Sequence, residues 1–153
     1  SESEYLAISS ASSFRTIDVV IVPEIALWDN LYGLTGHIPG SLESSPSAAV
    51  IASASLALGT NRTYDPGEKR LFAETLAHES GHYLGLFHPV ETSWEEWDAL
   101  DDTEGCSTEA SCLEAMQDNL MFAFPYCDAG GCIPQTVLTE EQRLVMNMYP
   151  GID

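Results

Sequence analysis

The chain has 153 residues, 44% of them hydrophobic, and 24 acidic against 5 basic side chains, a formal net charge of -19. That length suits one domain with its own core, the apolar content argues against disorder, and no apolar run approaches the ~20 residues that a membrane-spanning helix needs. So acidic a surface argues against nucleic acid and anionic membranes as partners, because both require a basic footprint.

The β-branched run Thr-Ile-Asp-Val-Val-Ile-Val at 16–22 predicts a strand stopped by Pro23. A short helix is expected over 24–32, followed by a glycine-rich loop over 33–47. His37 in that loop has no companion ligand and reads as a loop histidine. Residues 48–54 read as a second strand, with small side chains. Asp65 suits an N-cap and Pro66 the first helical position, and an amphipathic helix then runs to about Leu84. Residues 89–137 carry no sustained period and read as irregular. Thr139-Glu140-Glu141-Gln142 is a capping box that opens a last helix, ended by Pro150-Gly151. This order predicts an α+β fold and a single domain over 1–153. Its upper part, about 1–85, holds a small twisted mixed sheet and the long helix; its lower part, 86–153, is irregular and closes with the C-terminal helix.

The chemistry concentrates in His78-Glu79-Ser80-Gly81-His82-Tyr83-Leu84-Gly85-Leu86-Phe87-His88, which reads H-E-x-x-H-x-x-G-x-x-H. His78 and His82 are i and i+4 on a helix, so both imidazoles leave one face about a turn apart. Glu79 is offset by one residue, which places its carboxylate beside a metal rather than on it. Gly85 can take a left-handed conformation, end the helix and swing His88 back as a third ligand. Three imidazoles on Zn²⁺ leave a position for water, whose pKa the metal lowers to about 7, with Glu79 as the general base. The expected chemistry is hydrolysis of a polarised carbonyl.

Four cysteines at 106, 112, 127 and 132 lack metal-ligand spacing and read as two disulfides formed in an oxidising compartment. The chain is therefore expected to be secreted, at the cell surface or periplasmic, a mature form without signal or pro-segment, and monomeric. Ten acidic residues fall between 91 and 118. They read either as a solvated surface or as a calcium site, with Asp98, Asp101, Asp102, Thr103 and Glu104 as oxygen donors in a spacing that is not an EF-hand.

At the eleven-residue motif the chain resembles the metzincin clan of zinc endopeptidases. Adding Trp97-Asp98-Ala99-Leu100-Asp101-Asp102-Thr103, Cys106, Asn119-Leu120-Met121-Phe122 and Cys127, it is most similar to the pappalysin group and its bacterial relatives. The resemblance covers residues 71–149 and implies a two-subdomain metalloprotease domain with a cleft between the parts. It implies a Met-turn in which Met121 is an apolar floor beneath the imidazoles; the plainer reading of Met121 is a core methionine. It implies bridges Cys106–Cys127 and Cys112–Cys132, the local alternative being Cys106–Cys112 with Cys127–Cys132, and calcium near 98–104. Polypeptide substrate is expected antiparallel along an exposed edge strand, Ala49, Val50, Ile51 and Ala52. The side chain after the scissile bond would enter a pocket walled by Phe124, Pro125 and Tyr126. Two departures stand out: Ala123 replaces a tyrosine after the Met-turn, and Tyr126 replaces an aspartate at the pocket base, with Asp128 two residues on. Only residues 1–13 are left for the clan's first strand and backing helix, so that layer is reduced or supplied from upstream. The implied function is zinc-dependent endopeptidase activity. The alternatives are a zinc-stabilised protein-binding module and a hydrolase of small non-peptide amides.

Overall fold

The computed structural model describes residues 16–25, 31–41, 47–56, 63–103, 105–128 and 131–150. Residues 1–15 lie outside the described residues, and with them any first strand or backing helix. So does most of the helix expected over 24–32.

Three strands form a mixed sheet in the order β1-β3-β2: β1 is Val19–Val22, β2 Gly33–Thr35 and β3 Ala49–Ala52. β3 runs parallel to β1, with Val19 opposite Ala49, and antiparallel to β2, with Gly33 opposite Ile51. Its alternating side chains reach two separate clusters. Val50 and Ala52 pack with Val22 and Ile25, while Ile51 packs with Leu71 of the long helix. No β3 residue is more than 2% exposed.

This corrects the expectation that Ala49, Val50, Ile51 and Ala52 form an exposed edge. Both main-chain sides of β3 are paired, so it is the central strand. Among the described residues the outer strands are β1 and β2, and β2 occupies part of the stretch expected to be loop. Three residues beginning with glycine are too few to show an alternating period.

After a single helical turn, α1 (Ser53–Leu56), the long helix α2 (Pro66–Tyr83) packs across β2 and β3. Asp65 caps it reciprocally: its carboxylate accepts from Glu68 N at 2.8 Å, and the Glu68 carboxylate accepts from Asp65 N at 2.8 Å. The helix ends in a Schellman arrangement around Gly85, whose φ is 104°. Gly85 N donates to His82 O and Leu86 N to Gly81 O, each at 3.0 Å.

The lower half is less irregular than its composition suggests. Helix α3 (Glu109–Met116) begins at Thr108, whose hydroxyl and that of Ser111 cap it reciprocally. Two turns with serine in place of the usual Glu or Gln partner give a faint signal in sequence. Val90, Cys106, Cys112, Met116 and Phe122 form the core of this half. Strands β4 (Cys127–Asp128) and β5 (Gly131–Cys132) make a small hairpin, and Thr139 caps the last helix, α4 (Glu140–Met148).

Both disulfides are local, Cys106–Cys112 and Cys127–Cys132, which corrects the crossed pairing implied by the family resemblance. Cys127 and Cys132 stand directly opposite each other in the β4–β5 register, while Cys106 and Cys112 meet where the chain enters α3. The chain is a small α+β domain with a mixed sheet and two disulfides. Among the described residues, no helix is long and apolar enough to cross a membrane.

Candidate metal centre

Helix α2 presents His78 and His82 one turn apart, and the reversal at Gly85 returns His88 to them. Nε2 of His88 lies 3.2 Å from Nε2 of His78 and 3.1 Å from Nε2 of His82. The opposite edge of each ring faces an acceptor. His78 Nδ1 is 2.8 Å from Leu120 O, His82 Nδ1 2.7 Å from Leu86 O, and His88 Nδ1 3.0 Å from a Glu91 carboxylate oxygen. Carbonyls and a carboxylate can only accept, so each Nδ1 carries the proton and each ring turns its Nε2 lone pair inward.

Burial, reinforced by the two neighbouring imidazoles, pushes His78 down to about 3. Burial and then His88 push His82 down to about 4. Both rings are therefore neutral at ordinary pH, as metal ligation requires. The three histidines could hold a metal ion, and among the described residues they are the group of acidic, thiol or imidazole side chains that meets this condition.

Glu79 is buried beside this cluster. Its carboxylate Oε2 accepts from Thr35 Oγ1 at 2.7 Å, and the same hydroxyl lies 2.8 Å from the Glu79 backbone carbonyl. Burial pushes Glu79 up to about 7 against the opposing pull of the Thr35 hydrogen bond. A carboxyl group poised there can take up and return a proton near neutrality. Space for it comes from Gly33, where a Cβ would collide with the Glu79 side chain.

Beneath the histidines the chain turns at Asn119-Leu120-Met121-Phe122. Met121 N donates to Asn119 Oδ1 at 2.8 Å, and Asn119 Nδ2 donates to Gln142 Oε1 of α4 at 2.9 Å. Met121 is fully buried against Gly81, in the helical turn between Glu79 and His82. The turn's carbonyl at Leu120 is the acceptor that orients His78.

A cleft of about 310 Å³ opens over the site. β2, the three histidines, Glu79, Phe124 and Pro125 all line it. Tyr126 does not line it, contrary to expectation, because the chain there has entered the hairpin, where Tyr126 O accepts from Ile133 N. Nor do Ala49, Val50, Ile51 and Ala52, which are buried in the sheet. Glu74, one turn before His78, also borders the cleft. Its carboxylate is buried, 3.3 Å from Arg70 Nε, and burial raises its pKa. His37 is exposed and joins no cluster.

Of the residues expected to donate to calcium, Glu104 lies outside the described residues, while Asp98 lies close enough to Asp102 and Glu141 for their charges to help raise its pKa, after burial. Asp98 Oδ1 accepts from Thr103 Oγ1 at 2.6 Å and from Leu100 N at 3.2 Å, and its other carboxylate oxygen is buried without a hydrogen-bond partner among the described residues. The Asp102 carboxylate accepts from Glu141 N at 2.8 Å at the start of α4, and Glu141 Oε2 accepts from Asp101 N at 2.7 Å.

Glu91, Thr35 and Gly33 were not singled out in the sequence. A carboxylate three residues after the third histidine is a readable signal for Glu91; the contacts of Thr35 and Gly33 with Glu79 span more than forty residues and leave none. Comparison with protein-family models, curated proteins and solved structures finds no match to this chain.

Proposed function

We propose that this protein is a zinc-dependent endopeptidase of metzincin type that acts on polypeptides. The observation that carries the reading is the meeting of three inward-turned Nε2 atoms beside a buried carboxylate. The 3.2 and 3.1 Å from His88 Nε2 to those of His78 and His82 approach the edge of about 3.3–3.4 Å that nitrogens 2.0–2.1 Å from a tetrahedral zinc would span. An all-imidazole set without thiolate suits zinc, and three protein ligands mark a catalytic rather than a structural site.

When bound, zinc supplies Lewis acidity toward a carbonyl oxygen and makes water a stronger acid. The protein's own residues do the rest. Glu79 takes the proton from the attacking water and returns it to the departing amine nitrogen. β2 borders the cleft and, among the described residues, is paired with a strand on one side only, so an extended polypeptide would add along its other edge as a further strand. Phe124 and Pro125 supply apolar surface in the same cleft. Two disulfides suit an oxidising compartment outside the cell.

The test is cleavage of a casein-like substrate, abolished by chelation and restored by zinc. Glu79→Ala should keep stoichiometric metal while losing at least about 100-fold in kcat, the usual contribution of a positioned general base. Cleavage by Glu79→Ala at the parental rate would sink the mechanism. In a complex with a peptidic inhibitor, main-chain hydrogen bonds should run to residues 33–35 and not to 49–52.

A further inference from the structure

The Thr35 hydroxyl reaches Glu79 twice, at 2.8 Å from its backbone carbonyl and 2.7 Å from its carboxylate, across 44 residues of sequence. We propose that Thr35 is a positioning residue: its hydroxyl holds the Glu79 carboxylate in the orientation from which it moves the proton. The proposal rests on the reading of Glu79 as general base.

A glutamate side chain has three rotatable bonds, and a buried one without a fixed partner can turn away from its task. Thr35 limits this in a specific way. Its oxygen lies against the main chain of Glu79 itself, so the carboxylate is folded back toward a point fixed relative to its own helix. A hydroxyl has one proton and two lone pairs, so it donates to one of the two acceptors at a time, and it can accept from the carboxyl group while the latter is protonated. One contact thus serves both protonation states that Glu79 passes through in a proton shuttle. The neighbouring backbone reinforces the geometry: Gly33, two residues earlier on the same strand face, lacks the Cβ that would displace the carboxylate.

Thr35 is also the last residue of β2, the strand bordering the cleft. The edge along which a polypeptide would align and the anchor of the general base are therefore one short piece of backbone. A substrate registered on β2 is registered on Glu79, which is the relationship that proton transfer to a particular amide nitrogen needs. Misplacing a reacting group by about 1 Å can cost on the order of 100-fold in rate.

The experiment compares Thr35→Val, which keeps the branched shape and removes the hydroxyl, with Thr35→Ser, which keeps the hydroxyl and removes the methyl. Thr35→Val should lower kcat by about 10- to 100-fold with KM changed less than about threefold, as expected when a group acts in the transition state more than in binding. Thr35→Ser should recover most of the loss, and both variants should bind zinc at the parental ratio. Parental kcat in Thr35→Val, or an equal loss in Thr35→Ser, would overturn the proposal. Parental protein and Glu79→Ala are assayed alongside: if both behave as a peptidase and its dead variant while Thr35→Val is unimpaired, only the positioning role fails. A readout independent of turnover is the crystal structure of each zinc-loaded protein. Glu79 should occupy one rotamer in the parent and several in Thr35→Val; a single unchanged rotamer in Thr35→Val would overturn the proposal even if no peptide were cleaved.

Discussion

Gly81 of α2 and Met121 of the turn below it pack so closely that a Cβ on Gly81 would run into the methionine sulfur. The contact joins the helix that carries His78, Glu79 and His82 to the turn whose Leu120 carbonyl orients His78. Ordinary helix preference favours Gly81→Ala by about 1 kcal/mol. Overpacking a filled core opposes it by about 1–3 kcal/mol. The packing should win, so Gly81→Ala is expected to lower the Tm by several degrees and to weaken metal binding through displacement of Leu120. A raised Tm with unchanged metal affinity would mean that Met121 yields freely and that the contact is incidental.

The histidine cluster was legible in sequence because its geometry is local: i, i+4 spacing on a capped helix, then one glycine at positive φ. Asp65, Pro66 and Thr139 marked helix starts for the same reason, since capping is decided within four residues. What could not be read depends on distant pairing. β3 lies centrally because β2 adds to its other side, a fact that resides in Gly33-Leu34-Thr35 and not in residues 49–52 themselves. The disulfides were read correctly as two bridges, but their partners depended on a two-residue hairpin and a two-turn helix too short to announce themselves.

Disulfide mapping tests that local structure directly. Non-reducing digestion should yield peptides linked as Cys106–Cys112 and Cys127–Cys132, with no link from Cys106 to Cys127. Loops of five or six residues close with little entropy, so replacing Cys127 and Cys132 together by alanine should cost about 2 kcal/mol. The Cys132 carbonyl also accepts from Arg70 of α2, so the hairpin should loosen from the helix when its bridge is lost. A loss well above this size, or a recovered Cys112–Cys132 peptide, would show a different connectivity.

Calcium should have little effect on stability. The Asp102 and Glu141 carboxylates are committed to backbone amides at the start of α4, with distances of 2.8 Å for Glu141 N to Asp102 and 2.7 Å for Asp101 N to Glu141. An acidic side chain there complements the positive end of the helix and satisfies an otherwise open N–H. Millimolar calcium is expected to leave the Tm within about one degree, because only binding that favours the folded state raises it. Asp102→Ala should lower the Tm with or without calcium. A calcium-dependent rise that disappears in Asp102→Ala would instead show a calcium site there.

Glu91 gives the sharpest separation of metal affinity from chemistry. His78 and His82 direct their Nδ1 protons at backbone carbonyls, which no side-chain substitution removes. His88 alone is oriented by a side chain, with both Glu91 oxygens within 3.1 Å of its Nδ1. A carboxylate behind a ligating imidazole fixes the ring and increases its donor strength, and losing such a partner typically costs about 10- to 100-fold in metal affinity. Glu91→Gln can still accept the hydrogen bond through its amide oxygen but withdraws the charge, whereas Glu91→Ala withdraws both. Zinc affinity measured by competition with a chelating dye should therefore fall in the order parent, Glu91→Gln, Glu91→Ala. At saturating zinc, kcat should recover much further than in Glu79→Ala, because in the proposed mechanism Glu91 would act only through the metal ligand His88 while Glu79 would handle the proton. Equal zinc affinity in all three proteins would reduce Glu91 to a surface carboxylate resting on a histidine, and a Glu91→Gln defect that persists at saturating zinc would place it in the reaction itself.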